Sequence, residues 1–272
     1  MLEFALNQVT MANAPLRDVL KTAQRLGCVG VELRNDLNRP LFDGLSAKDA
    51  GAMVRDHGLR LLGLSQIYPC NRWSETIAKD SQWLIDSAVE AGAEAISLIP
   101  CNDGDQRKDI NRVDQLVTGI EAIHPMLRQA DMKAFFEPLG FQSSSSRLKS
   151  EAIEIMRSLD ATDCIKIVHD TFHHYLAEED TLFPAETGIV HISGLADVSI
   201  QKPDIVDAHR GLVTAADQLG SVQQIIALID AGYTGAFSFE CFAPEVHDLA
   251  APEAALRQSM NFIASHAQQR AA

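Results

Sequence analysis

The sequence has no C-x-x-C pair, no apolar run long enough to cross a bilayer, no low-complexity linker, and too few basic residues to balance its acidic ones. Each absence removes a class of function. The five cysteines, Cys28, Cys70, Cys101, Cys164 and Cys241, are odd in number and widely scattered. That argues against a disulfide framework or a thiolate zinc site, and for buried thiols in a reducing cytoplasm. No apolar stretch approaches the roughly 18 residues of a membrane span. Met1–Ala5 shows no basic region ahead of an apolar segment, so no signal peptide is expected. Lys and Arg number 23 against 37 Asp and Glu, a formal charge of −14. A surface that acidic repels phosphate backbones and anionic membranes, so neither nucleic acid nor membrane is an expected partner.

What is present is the composition of a globular protein, with 46% hydrophobic and 22% charged residues. At 272 residues the chain suits one α/β barrel of about 250 residues. A single domain over residues 1–272 is therefore expected. One phrase recurs along the chain: a helical pattern closes on a small residue and glycine, and a β-rich run follows. It appears at Leu26-Gly27-Cys28-Val29-Gly30-Val31, His57-Gly58-Leu59, Ala91-Gly92-Ala93 and Ala231-Gly232-Tyr233. Glycine there supplies the positive φ that ends a helix.

The β-rich runs are short and apolar, as strands covered on both faces are. They place strands near Glu3–Gln8, Val29–Leu33, Leu59–Ser65, Ala95–Ile99, Lys133–Glu137, Ile165–Asp170, Ile189–Ser193 and Ala236–Glu240. Helical periodicity fills the gaps: Leu16, Val19, Leu20, Ala23 and Leu26 share a face, as do Ala152, Ile155, Met156 and Leu159, and Val222, Ile225, Ile226 and Ile229. A last helix covers about 252–267. Eight alternating units predict an α/β protein with a (β/α)8 barrel. A doubly wound open sheet is the alternative, but no G-x-G-x-x-G follows the first strand. The long polar stretch Gly194–Gly220 follows the seventh strand, where a barrel carries a loop over its catalytic mouth.

Three predicted strands end in a carboxylate: Phe136-Glu137-Pro138, His169-Asp170-Thr171 and Phe239-Glu240-Cys241. A fourth carries His191. The carboxyl ends of barrel strands converge on one face, so these four side chains can meet. One carboxylate at a strand end is ordinarily a helix cap, and one histidine is ordinarily core; four together point to a metal. Three like charges in a dry site need a cation, and three oxygens with an imidazole suit Mn²⁺, Co²⁺, Zn²⁺ or Mg²⁺.

The segments Phe136-Glu137-Pro138, Asp170-Thr171-Phe172-His173, Val190-His191-Ile192 and Phe239-Glu240 resemble the xylose isomerase-like superfamily of TIM-barrel sugar isomerases and epimerases. With Leu6-Asn7-Gln8, Val31-Glu32-Leu33-Arg34 and Phe239-Glu240-Cys241-Phe242-Ala243-Pro244-Glu245, the chain looks most similar to the inosose isomerases of inositol catabolism. The resemblance runs essentially end to end, and D-x-F-H is its most specific piece. It implies one divalent metal held by Glu137, Asp170, His191 and Glu240, with His173 and Arg210 on substrate oxygens. Such an enzyme moves a proton beside a ketone through an enediolate, with Glu137 and Glu240 as base and acid. Arg210 could hold the developing oxyanion or form an ordinary surface ion pair; His174 reads as solvated or supporting.

The implied substrate is a small keto-polyol, inosose or ketose. It is expected without phosphate, since no glycine-rich basic loop follows strands seven or eight. The stretch Ile192–Asp197 is less acidic than the family's, and the following loop lacks its P-G-x-G turn. A dehydratase on the same scaffold and a non-catalytic metal- or ligand-binding barrel are the alternatives. Asp207-Ala208-His209 also resembles the D-x-H element of endonuclease IV-type nucleases, but strands three and four end without histidine. His209 then reads as a loop residue. Trp73 could face a sugar ring, whereas Trp83 sits in a helical run and reads as core. A homo-oligomer is compatible with the sequence, which does not dictate one.

Overall fold

The computed structural model describes residues 2–104 and 109–268. Eight parallel strands close into a barrel in sequence order: β1 (Phe4–Asn7), β2 (Gly30–Arg34), β3 (Arg60–Ile67), β4 (Ala95–Leu98), β5 (Lys133–Phe136), β6 (Ile165–Asp170), β7 (Thr187–Ile192) and β8 (Phe237–Phe239). Closure comes from β1 pairing with β8, Leu6 opposite Phe239. The helices between them are α1 (Leu16–Leu26), α2 (Ala47–Asp56), α3 (Glu75–Ala91), α4 (Arg112–Gln129), α5 (Lys149–Ser158), α6 (Thr171–Ala177) and α7 (Ser221–Asp230). After β8 follow the short α8 (Pro244–His247) and the closing α9 (Pro252–Gln268). This is the expected (β/α)8 barrel, with strand ends shifted by up to two residues. No described helix is long and apolar enough to cross a membrane.

The recurring glycines do what the sequence asks of them. Gly27 and Gly92 end α1 and α3 at φ 76° and 75°, a conformation that costs a residue with a Cβ. The predicted apolar face of α1 is buried throughout. On α7 the face is rotated from expectation: Leu228 is buried, while Ile229 is exposed. Trp83, expected in the core, is also exposed, because α3 turns Leu84 and Ile85 inward instead. Trp73 packs half-buried against the core.

Strand alternation sorts the side chains into two layers. Phe4, Leu6, Val31, Leu33, Phe136, Ile167, Val190, Ile192, Phe237 and Phe239 join the large cluster between barrel and helices. The alternate residues point into the barrel. Ala5, Leu62, Val168 and Ile189, from β1, β3, β6 and β7, and Ala236 just before β8 form a small plug that only the barrel interior brings together. Two residues further along, the same faces carry Asn7, Asp170 and His191; Glu32 and Ser238 lie alongside, and Glu137 and Glu240 extend β5 and β8 by one residue. The carboxyl end of the barrel is thus a polar layer resting on an apolar one.

Candidate metal centre

Glu137, Asp170, His191 and Glu240 converge. One ligand atom from each lies within 4.8 Å of all the others, and all four residues are buried. Asp170 performs two tasks at once. Its Oδ1 caps α6 by accepting from Phe172 N at 2.7 Å and His173 N at 3.2 Å, while Oδ2 turns toward the cluster. His191 Nδ1 is 3.2 Å from Glu240, 3.5 Å from Glu137 and 4.0 Å from Asp170. Both His191 Nδ1 and Glu137 Oε1 are buried without a hydrogen-bond partner. Buried polar atoms are rarely left unpaired unless something else engages them. An imidazole nitrogen and carboxylate oxygens facing one point are the donor set of a divalent transition metal.

The charge count agrees. Four buried carboxylates, Glu32, Glu137, Asp170 and Glu240, share the interior with two buried guanidiniums, Arg34 and Arg210. A divalent ion would balance the remaining two charges. Without it, protons take the cation's part. Burial and the neighbouring Glu240 lift Glu137 to about 7. Burial also raises Asp170, against the opposing pull of Arg210. Burial disfavours a charged His191, but Glu240 and Glu32 outweigh it and push the imidazole well above its ordinary value. The same burial opposes ionisation of Glu240, yet His191, Arg210 and Arg34 hold it well below the usual carboxylate range.

The loop after β7 delivers Arg210. An antiparallel bridge joins Gly194 and Gly211, each N–H donating to the other's carbonyl at 2.8 Å. A Cβ at Gly194 would meet Leu212 O at 2.7 Å, so only glycine allows the bridge. Arg210 next to it is 1% exposed, and it donates to Asp170 and to Glu240 Oε2. The alternative of a surface ion pair does not hold. His173, on the first turn of α6, is buried with Nε2 4.0 Å from Glu137. Burial and Arg210 press it down to about 3, so its ring stays neutral.

Three further residues escape a reading by strand ends. Glu32 accepts from Ser238 Oγ and sits 3.1 Å from His191 Nε2. Arg34 Nη1 and Asn7 Nδ2 donate to Glu240 Oε1 at 2.7 and 3.2 Å. For Glu32 and Arg34 the signal is two charged residues spaced i, i+2 within an otherwise apolar β2. His174 is neither solvated nor at the cluster: it accepts from Lys149 Nζ at 2.9 Å. His209 stands apart too, its Nδ1 accepting from Val206 N. A cavity of about 230 Å³ opens above the cluster, lined among others by Glu137, His173, Arg210 and Glu240.

The chain matches the model of the xylose isomerase-like TIM barrel family over residues 20–266. It belongs to that family. The barrel superposes on a xylose isomerase domain-containing protein from Salmonella typhimurium LT2 with a TM-score of 0.88 at 27% identity, covering 98% of this chain and 97% of that one. It superposes on the IolI protein with a bound zinc atom (TM-score 0.78, 18% identity, 99% of each chain). An L-ribulose 3-epimerase gives a TM-score of 0.71 at 16% identity, covering 100% of this chain and 97% of that one. No curated protein matches the chain by sequence.

Proposed function

We propose that this family member is a divalent-metal-dependent isomerase or epimerase of a small neutral keto-polyol, an inosose or ketose, acting through an enediolate. The observation that carries the reading is the unpartnered pair, His191 Nδ1 and Glu137 Oε1, facing Asp170 and Glu240 beneath a sugar-sized cavity. The neighbours named for zinc binding and for 3-epimerisation share this fold and lend it support.

A divalent ion held by Glu137, Asp170, His191 and Glu240 supplies Lewis acidity that weakens the C–H bond beside the substrate carbonyl. Glu137 takes that proton through the carboxylate oxygen not engaged by the ion and returns it to the neighbouring carbon. Return to the opposite face, which makes an epimerase, needs a second carrier, and Glu240 is the group available across the cluster. His173, kept neutral, donates a ring N–H to a substrate oxygen. Arg210 supports the oxygen on which negative charge develops.

The test is deuterium exchange. The Mn²⁺-loaded protein is incubated with inososes and ketohexoses in D₂O, and label beside the carbonyl is followed by NMR. Label is expected to enter, and its entry to be lost in Glu137→Gln and Glu240→Gln. Absence of exchange from every ketone while metal is verifiably bound overturns the reading. A product lighter by one water would assign the chain to the lyases.

A further inference from the structure

The cavity carries two carboxylates that proton transfer does not use. Asp36 lies just past β2, and Asp207 in the loop after β7. Their side chains are 31% and 43% exposed, against 2% for Glu240. Each is tied to an arginine that also holds Glu240. Arg34 donates from Nε and Nη2 to Asp36 at 2.9 and 2.7 Å and from Nη1 to Glu240 at 2.7 Å. Arg210 donates from Nη1 to Asp207 at 3.2 Å and from Nη2 to Glu240 at 2.7 Å. Phe242 lies against both guanidiniums, with their carbons 5.3 and 4.8 Å from its ring centre. A chain of alternating charge, Asp36–Arg34–Glu240–Arg210–Asp207, therefore runs beneath the cavity.

That arrangement turns the positive charge inward. Each nitrogen of Arg34 is engaged by Asp36 or Glu240, and each of Arg210 by Ser193, Asp207, Asp170 or Glu240. Among the described residues lining the cavity there is no other lysine or arginine. A phosphate or carboxylate on a ligand would meet Asp36 and Asp207, whose charges already offset the two guanidiniums beside them, and would be repelled. A hydroxyl meets acceptors. A carboxylate offers roughly four lone-pair sites; Asp36 spends three on Arg34 and on Gln66 Nε2 at 3.1 Å and keeps one, while Asp207 spends one on Arg210. Glu137 lines the same cavity as Asp36 and Asp207.

We propose that Asp36 and Asp207 are the specificity-determining residues of this cavity: they accept hydrogen bonds from substrate hydroxyls remote from the reacting carbons and turn away substrates that carry an anionic group there. The inference rests on the keto-polyol reading. The two are separable, because recognition is measured as a ratio between substrates and also as equilibrium binding.

In the Mn²⁺-loaded protein, kcat/KM for deuterium exchange is compared between a keto-polyol and hydroxyacetone, which lacks the remote hydroxyls. The ratio is expected to fall about tenfold in Asp207→Asn and in Asp36→Asn, the loss of one charge-assisted hydrogen bond, and to fall through KM. In calorimetry, myo-inositol, a non-reacting polyol, is expected to bind both variants more weakly than the parent protein. A phosphorylated ketose, rejected by the parent, is expected to gain relative to its unphosphorylated form. An unchanged ratio and unchanged polyol affinity in both variants overturn the proposal. So does equal acceptance of the phosphorylated ketose by the parent. If the parent exchanges no ketone, the reaction assignment fails, and polyol binding by the parent and Asp207→Asn still decides the role of the carboxylates.

Discussion

His191 Nε2 lies 3.1 Å from Glu32 Oε2, and this contact leaves the opposite ring nitrogen, Nδ1, facing Glu137, Asp170 and Glu240. Glu32 is wholly buried, and Ser238 fixes its other oxygen. An acceptor on Nε2 selects the tautomer whose Nδ1 lone pair is available to a metal.

Glu32→Gln is therefore expected to weaken divalent-metal affinity by about 10- to 100-fold, as loss of a ligand's supporting partner does. Competition with a chromophoric chelator measures it. Parent-like affinity would show that Glu32 does not orient His191.

Glu137 differs from Glu240 in being unencumbered. Its Oε1 is unpartnered, whereas both oxygens of Glu240 are held, one by Arg34 and Asn7 and the other by Arg210. Glu137→Gln is expected to lower ketone exchange by about 10²- to 10⁴-fold, the range of a lost general base. Metal content measured alongside separates lost chemistry from a lost ion.

Removing the ion should matter more as pH rises. In the metal-free protein Glu137 titrates at about 7, raised from its ordinary 4.5. Its protonation stabilises the fold below 4.5, and that contribution is lost as pH climbs through 7. The difference in Tm between Mn²⁺-loaded and EDTA-treated protein is accordingly expected to be larger at pH 8 than at pH 5. At a hundredfold excess over Kd the ion adds about 2.7 kcal/mol. Calorimetric scans at the two pH values decide it, and a smaller gap at pH 8 would contradict the charge balance.

Behind β6, Lys149 is buried and donates to His169 Nδ1 at 3.0 Å and to His174 Nδ1 at 2.9 Å. Burial and the adjacent Lys149 push His174 down to about 3 from its ordinary 6.5. The unfolded chain binds that proton first, so the stability associated with a neutral His174 is full above 6.5 and drains as pH falls toward 3. His174→Gln keeps an acceptor for Lys149 and removes the titration. Its stability in urea is expected to decline less between pH 6.5 and 4.5 than the parent's. Lys149→Met leaves both ring nitrogens without their donor and is expected to cost about 2 kcal/mol or more at pH 7.

The barrel was legible because glycine stops and apolar strands repeat in register with the βα unit. Glu137, Asp170 and Glu240 were legible because each closes an apolar strand. Glu32 and Arg34 entered only as part of the resemblance and without a role, since Glu32 lies inside a short, mostly apolar strand and Arg34 just past its expected end; only closure of the barrel makes one face of β2 interior and polar. Trp83 and Ile229 went the other way. Helical periodicity identifies a stripe of apolar residues, but packing decides which edge of that stripe the sheet covers.

The sequence by itself determined the order of strands and helices and the end of the barrel where chemistry collects, because both follow from local periodicity and from strand direction. The tertiary structure alone decided that Arg210 is buried rather than a surface residue. It also decided that Glu32 stands behind His191 and that Asp36 and Asp207 share Glu240 through two arginines. Those pairings join residues up to 206 positions apart, such as Arg34 and Glu240. No spacing rule reaches across that distance; closing β8 against β1 does.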